Sequence, residues 1–121
     1  MARVMVVDDS PTDKEYLKQI LTRAGHSVLE AASGQDAIEM ARLQKPDCVV
    51  MDVVMPGMNG FQATRMLSRD PVTTAIPVIV VSSKNQETDR VWALRQGARE
   101  YIVKPVKEAE LIGKLQSVLG G

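Results

Sequence analysis

The chain has 121 residues, with 15 Lys and Arg against 15 Asp and Glu and a formal net charge of zero. This length allows one domain, and the balanced charge argues against a nucleic-acid-binding protein, which needs a basic surface. No apolar run approaches the ~18 residues of a membrane span, and the first residues lack the pattern of a secretory signal. A single cysteine, Cys48, and a single histidine, His26, exclude an internal disulfide and zinc sites built from these residue types. We therefore expect a cytoplasmic protein with a single domain over residues 1–121 and no separate output domain.

Apolar runs and helix signals alternate along the chain in five repeats. The predicted strands cover residues 3–7, 26–31, 48–51, 78–81 and 101–103. In the first helix, Ser10 suits the N-cap, Pro11 the first helical position and Asp13 the capping-box position, and Gly25 ends the helix. The remaining helices are predicted between Ser33 and Lys45, between Asn59 and Asp70, and over about residues 87–96 and 108–119.

Three of the predicted strands, at residues 3–7, 48–51 and 78–81, are continuous apolar runs rather than alternating patterns. Strands of this kind are buried on both faces, as in a parallel sheet that is covered by helices. Strands that alternate with helices predict an α/β fold. We therefore expect a single doubly wound (βα)5 domain with a parallel five-stranded sheet.

Polar residues follow four of the five predicted strands. Asp8 and Asp9 come after the first strand, Asp52 after the third, Ser82 after the fourth and Lys104 after the fifth. In the doubly wound order 2-1-3-4-5 the first and third strands are neighbours, and ligands bind outside their carboxyl ends. Three carboxylates in one place repel each other unless a cation lies among them. Oxygen ligands suit a hard cation, so the sequence predicts a Mg²⁺ site at this edge of the sheet.

A single aspartate at a strand end is ordinarily a turn or capping residue without a function. The coincidence of suitable polar groups at four strand ends favours a functional site instead. Cys48, which lies inside a predicted strand, is expected to be a small buried core residue.

Four segments carry a resemblance to a known family. They are residues 6–10 (VVDDS), 51–60 (MDVVMPGMNG), 80–83 (VVSS) and 103–105 (VKP). Together they resemble the motifs of response-regulator receiver domains, and the match extends along the whole chain with the family's spacing. The resemblance implies a flavodoxin-like fold and a two-component phosphoprotein. It also implies that the protein is not an enzyme, apart from catalysing its own phosphoryl transfer and dephosphorylation.

The resemblance assigns roles to the residues at the strand ends. It implies that Asp52 is the phosphoryl acceptor and that Lys104 binds the phosphate. It implies that Asp9 and Asp52 ligate Mg²⁺ directly, that Asp8 acts mainly through metal-bound water, and that the backbone carbonyl of Val54 is the third protein ligand. The phosphoryl group would come from a separate histidine kinase.

The resemblance also implies a switch. Ser82 is similar to the family's switch hydroxyl and Tyr101 to its switch aromatic, which is expected to turn inward after Ser82 moves. A downstream protein would then bind the changed face of helix 4, strand 5 and helix 5. The peptide bond before Pro105 is expected to be cis. Val54 and Lys84 occupy positions that flank the path of an attacking water, so they are expected to tune the phosphoryl lifetime.

A narrower resemblance covers residues 59–65, 86–92 and 95–101. These segments are similar to the single-domain receivers of pilus-linked chemotaxis systems, which govern twitching motility by type IV pili. We therefore expect a stand-alone regulator that signals by binding another protein, with no nucleic-acid partner and no membrane insertion.

Three alternative functions stay open at this point. A phosphatase of the haloacid-dehalogenase type would need an acidic residue two positions after the nucleophile, where this chain has Val54, and a cap domain. A receiver used only as a binding scaffold would be signalled by loss of Asp9, Asp52 or Lys104, and all three are present. A phosphate sink for a shared kinase would carry the same residues as a signalling receiver.

Overall fold

A five-stranded parallel sheet in the order β2-β1-β3-β4-β5 forms the centre of the computed structural model of the chain. The structure describes residues 1–120. The strands are β1 (Arg3–Val7), β2 (Ser27–Ala31), β3 (Cys48–Asp52), β4 (Val78–Ser82) and β5 (Glu100–Val103). The helices are α1 (Pro11–Arg23), α2 (Gly34–Gln44), α3 (Gly60–Arg69), α4 (Glu87–Arg95) and α5 (Glu108–Val118). The predicted α/β class and strand order are confirmed.

The helices cover both faces of the sheet. On one face, α1 and α5 bury leucine and isoleucine side chains such as Leu21 and Leu111 against the sheet. On the other face, α2, α3 and α4 bury smaller side chains such as Ala37 and Ala63. Alternate residues of each central strand supply the two cores, which explains why these strands read as continuous apolar runs.

Burial along the strands follows their position in the sheet. Every residue of β3 and β4 is buried, and β1 is buried after its first residue. Cys48 lies in β3 and is fully buried, as predicted, and this burial raises the pKa of its thiol to about 12. The edge strand β2 is only partly buried, in agreement with its weaker apolar pattern.

The predicted element bounds differ from the observed ones by one or two residues. The strand β2 begins at Ser27 rather than His26, because the backbone N–H of His26 donates to the carbonyl of Leu21 and closes α1. The helices α4 and α5 end one residue earlier than predicted, since Gln96 and Leu119 are their C-caps. In residues 1–120, no helix has both the length and the apolar character that crossing a membrane requires.

Candidate functional site

Three aspartates lie together at the carboxyl edge of the sheet. The strands β1 and β3 pair in parallel with Val7 opposite Met51, so the residues that follow, Asp8 and Asp52, are also adjacent. One carboxylate oxygen each from Asp8, Asp9 and Asp52 lies within 4.8 Å of the others. Asp8 and Asp52 are buried, whereas Asp9 is exposed. The predicted convergence of the strand ends therefore occurs, and it leaves one side of the cluster open to solvent.

The ammonium group of Lys104 lies against this cluster. Its Nζ is 3.1 Å from an oxygen of Asp52, 3.3 Å from an oxygen of Asp8 and 3.0 Å from an oxygen of Asp13. Burial lowers the pKa of Lys104, but the contacts with the three carboxylates outweigh burial and raise it above its ordinary value. The side chain is therefore held as a cation at the end of β5, next to the proposed metal ligands.

Asp13 is a site residue that the sequence did not indicate. It was expected to complete a capping box at the start of α1, but only its backbone N–H takes part, by donating to the hydroxyl of Ser10 over 3.2 Å. The N–H of Ser10 donates instead to Asp8 over 2.9 Å, which leaves the Asp13 carboxylate to contact Lys104. The expectation of a full capping box was wrong, because Asp8 takes the place of the Asp13 carboxylate in the cap. One feature of the sequence could have indicated Asp13. The helix α1 begins only four residues after β1 ends, which places the first turn of α1 beside the ends of the strands.

The pKa of the Asp52 carboxyl is raised above its usual value of 3.8. Burial, which disfavours the charged form, is the largest cause, and repulsion by Asp8 adds to it. Lys104 acts in the opposite direction, through its charge and its hydrogen bond, and compensates only in part. The site is therefore short of positive charge, which is the condition under which a bound cation is stabilised.

This shift predicts a dependence of stability on pH. Because the pKa of Asp52 is higher in the folded protein, the folded state binds its proton more tightly, and ionised Asp52 costs stability once the pH exceeds about 4. Asp52→Asn is expected to raise the free energy of unfolding near neutral pH without Mg²⁺, because the asparagine side chain carries no charge for burial and Asp8 to disfavour. The gain should vanish near pH 3, where the carboxyl is protonated in both states. Urea denaturation at the two pH values measures it, and an equal gain at both would contradict the prediction.

Ser82, Lys84 and Tyr101 form a second group beside the aspartates. Ser82 is fully buried, and its hydroxyl accepts a hydrogen bond from the backbone N–H of Lys84 over 3.1 Å. The hydroxyl of Tyr101 donates to the carbonyl of Lys84 over 2.7 Å. The same loop backbone therefore connects the two predicted switch residues. Tyr101 is already buried in this structure, whereas it was expected to turn inward only after Ser82 moves.

The loop after β3 positions the remaining predicted residues. Val54 lies in this loop with an exposed side chain, and the side chain of Lys84 is also exposed. The loop ends at Asn59, which caps α3 in a reciprocal pair of 2.9 Å hydrogen bonds with Gln62. The peptide bond between Lys104 and Pro105 is cis.

Gly60 fits closely against the backbone at the end of β3. Its N–H donates to the carbonyl of Val53 over 2.8 Å. A Cβ atom at this position would lie 2.0 Å from the backbone oxygen of Asp52. The lack of a side chain at Gly60 therefore allows α3 to start directly beside Asp52.

The donor set fits a hard divalent cation. The three clustered groups are all carboxylates, and the exposed side of Asp9 leaves room for the water ligands that Mg²⁺ usually keeps. The Lys104 ammonium is shared with Asp8 and Asp52, so it neutralises the cluster only in part.

The fold and this cluster define a class of protein, and the family comparison agrees. The model of the response regulator receiver domain matches residues 4–116. The chain belongs to the response regulator receiver family, whose members take a phosphoryl group from histidine kinases and bind Mg²⁺ in an acidic site.

Comparison with individual relatives indicates which kind of receiver the chain resembles. The chain is 55% identical to Protein PilH of Pseudomonas aeruginosa over 121 residues, which is the full length of both chains. It is 36% identical to the chemotaxis protein CheY of Thermotoga maritima over 117 residues, or 96% of each chain. The crystal structure of the receiver domain of a sensor histidine kinase from Pseudomonas aeruginosa, with a magnesium ion coordinated in the active site cleft, is also similar. Its TM-score is 0.91 at 29% identity, covering 99% of this chain and 98% of that one.

These findings confirm the predicted family and fold. The full-length similarity to PilH also confirms the resemblance to single-domain receivers of pilus-linked chemotaxis systems, so the chain is a response regulator of the CheY-like type.

Proposed function

We propose that Asp52 accepts a phosphoryl group from a histidine kinase in the presence of Mg²⁺. The main observation behind the proposal is that three carboxylates and the Lys104 ammonium meet at the carboxyl edge of the sheet. Asp52 is the best placed of the three, because it ends β3 between Asp8 and Lys104. The magnesium-bound receiver structure is similar over nearly the whole chain and supports the same metal here.

The proposed reaction transfers a phosphoryl group from a histidine nitrogen of the kinase to the Asp52 carboxylate. An oxygen of the Asp52 carboxylate forms a bond to phosphorus, while the bond from phosphorus to the histidine nitrogen of the kinase breaks and leaves its electron pair on that nitrogen. Bound Mg²⁺ supplies the positive charge that offsets repulsion between the carboxylate and the phosphoryl oxygens. We propose that Asp9 and Asp52 would ligate the metal directly, that Asp8 would act mainly through a metal-bound water, and that the Val54 carbonyl would be the third protein ligand.

Lys104 and Ser82 then receive the phosphoryl oxygens. The Lys104 ammonium already lies 3.1 Å from Asp52, so a small shift is enough for it to contact a phosphoryl oxygen. The Ser82 hydroxyl accepts from the Lys84 N–H, so its own O–H can donate to a phosphoryl oxygen once the side chain turns toward Asp52. Movement of Ser82 disturbs the loop whose Lys84 carbonyl holds Tyr101, which couples the site to α4 and β5.

A direct labelling experiment separates this proposal from the two rival classes. The protein is incubated with a radioactive small phosphodonor, with and without Mg²⁺. A receiver retains one hydroxylamine-sensitive label that depends on Mg²⁺, a phosphatase turns the donor over without retaining it, and a scaffold takes none. Retained Mg²⁺-dependent label is the expected result, and either of the other two outcomes would overturn the proposal.

We propose that the signal leaves through the face of α4, β5 and α5. Trp92 lies on α4 with 48% of its surface exposed and is the only tryptophan of the chain. Its fluorescence is expected to change when Mg²⁺ and the phosphoryl mimic beryllofluoride are added together. The Asp52→Asn protein should show no such change. A constant signal from the parent protein, with binding shown independently, would mean that α4 stays still.

We also infer a slow loss of the phosphoryl group. Val54 is exposed beside Asp52 and cannot orient a water for attack, and the long side chain of Lys84 can shield the phosphoryl oxygens. Replacing them together by Val54→Asn and Lys84→Glu is expected to speed phosphoryl loss about tenfold, since orienting a water lowers the barrier by ~1–2 kcal/mol. Decay of the label after donor removal measures this rate. Val72→Asn, at an exposed valine outside the site, is the control.

The full-length similarity to PilH supports a role in pilus-linked chemotaxis and twitching motility. We propose that the phosphodonor is a cytoplasmic histidine kinase of such a system and that the target is another protein. Comparing initial rates of phosphotransfer from the histidine kinases of the source organism tests this role. The pilus-linked kinase is expected to be the fastest donor, and preference for an unrelated kinase would contradict the assignment.

A further inference from the structure

Asp13 is a fourth carboxylate at the site and lies outside the proposed set of metal ligands. Its oxygen is 3.0 Å from the Nζ of Lys104, the shortest of the three carboxylate contacts of this ammonium. It comes from α1, whereas Asp8 and Asp52 come from the ends of β1 and β3. The contact therefore joins α1 to the residue that is proposed to bind the phosphoryl group.

The three contacts of Lys104 differ in their exposure to solvent. The side chains of Asp8 and Asp52 are buried, whereas 47% of the Asp13 side chain is exposed. An ammonium group has three N–H donors, and three carboxylates surround this one. A phosphoryl oxygen can thus gain a donor of Lys104 only if a carboxylate gives one up. Asp13 gives one up at the lowest cost, because water can solvate its charge.

We propose that Asp13 is a positioning residue that holds Lys104 in the resting protein and releases it to the phosphoryl group. The inference rests on the proposed function, since it assigns a step to the same lysine. In the resting state, Asp13 draws the ammonium toward α1 and adds a negative charge beside the site. On phosphorylation, the phosphoryl oxygens replace Asp13 as the partner of Lys104, and the Asp13 carboxylate becomes solvated.

Opposite effects on cations and anions follow from this arrangement. Without the Asp13 charge, Lys104 binds Asp8 and Asp52 more tightly and competes better with Mg²⁺, and the local potential is also less negative. Both changes weaken Mg²⁺ binding. The loss of the Asp13 charge strengthens the binding of an anionic phosphoryl mimic, because one competitor for the Lys104 ammonium is removed and the repulsion of the anion falls.

The experiment compares Asp13→Asn, Asp13→Glu and Glu15→Gln with the parent protein. Calorimetry measures the Kd of Mg²⁺ alone and then the Kd of beryllofluoride at saturating Mg²⁺. In Asp13→Asn the Kd of Mg²⁺ is expected to rise about threefold and that of beryllofluoride to fall about threefold, the scale of one partly exposed ion pair.

Two variants serve as controls for charge and for the helix. Asp13→Glu keeps a carboxylate that can reach Lys104 and should restore both parental values. Glu15→Gln removes an exposed charge of the same helix whose partner is Gln19, and it should leave both values unchanged.

The outcomes separate this inference from the proposed function. If the parent protein binds neither Mg²⁺ nor beryllofluoride, the proposed function itself is wrong. If the parent binds both and Asp13→Asn has the same two constants, Asp13 does not position Lys104 and the proposed function stands. If Asp13→Asn weakens both ligands and lowers the Tm, Asp13 supports the structure of α1, and the inference is also overturned.

Discussion

Asp52→Asn is expected to take up no stable phosphoryl label from either a small phosphodonor or a histidine kinase. Asparagine keeps the size of the side chain but lacks the carboxylate oxygen that forms the bond to phosphorus. The neighbouring carboxylates of Asp8 and Asp9 remain, but Asp8 also bonds to Ser10 and Lys104, and Asp9 is exposed. Label at the parental rate on the variant would show that another residue is the acceptor.

A matched control excludes a general effect of removing a carboxylate. Asp36→Asn changes an exposed aspartate in the first turn of α2, outside the cluster, and should be labelled like the parent protein. Mass spectrometry of the labelled parent should place the phosphoryl group on the peptide that contains Asp52. Comparing the melting curves of all three proteins confirms that the loss of label is not a loss of fold.

Gly60→Ala is expected to destabilise the protein strongly, although it adds only one methyl group. The added Cβ would lie 2.0 Å from the backbone oxygen of Asp52 and 2.8 Å from the Cα of Val53. These are backbone atoms of a buried strand end, so no side-chain rotation relieves the clash, and α3 or the loop before it must move. Overpacking of this kind costs about 3 kcal/mol.

Gly113→Ala provides the matched control for this substitution. Within residues 1–120, and apart from the nearby backbone of its own helix, a Cβ at Gly113 in α5 would meet no atom within 4 Å. Alanine is favoured over glycine in a helix by up to about 1 kcal/mol, so this variant should be as stable as the parent or more stable. Chemical denaturation measures both variants. Equal stability of Gly60→Ala and the parent would contradict the prediction. It would mean that the loop after β3 can move to accommodate the methyl group without a loss of stability.

The position of the site could be predicted because the carboxyl ends of parallel strands share one edge of the sheet. Asp8, Asp52 and Lys104 each follow an apolar strand directly, so their meeting depends only on strand order. Asp13 could not be found in this way. It lies on a helix, and the direction of a side chain in the first turn depends on how the helix is rotated against the sheet. That rotation is determined by packing and by the cap that Asp8 completes.

The close contact between Gly60 and the backbone of Asp52 also could not be predicted from the sequence. A glycine that follows Asn59 is typical of a loop or of the start of a helix. Neither interpretation tells which residues contact the glycine in the folded protein. Its contact with Asp52 arises because the loop returns α3 to the end of β3. The burial of Tyr101 could not be predicted either, because it depends on the path of the Lys84 backbone, to which the Tyr101 hydroxyl donates.

The contact between Lys104 and Asp8 joins residues that are 96 positions apart in the chain. A partly folded form with β1 paired to β3, but with β5 not yet docked, would gather the carboxylates of Asp8 and Asp52 without this ammonium. Charge repulsion disfavours such an intermediate. The cost is relieved only when the carboxyl-terminal part of the chain docks, so the two ends of the sequence should fold together. The same charges that prepare the site for a cation thus favour cooperative, all-or-none folding.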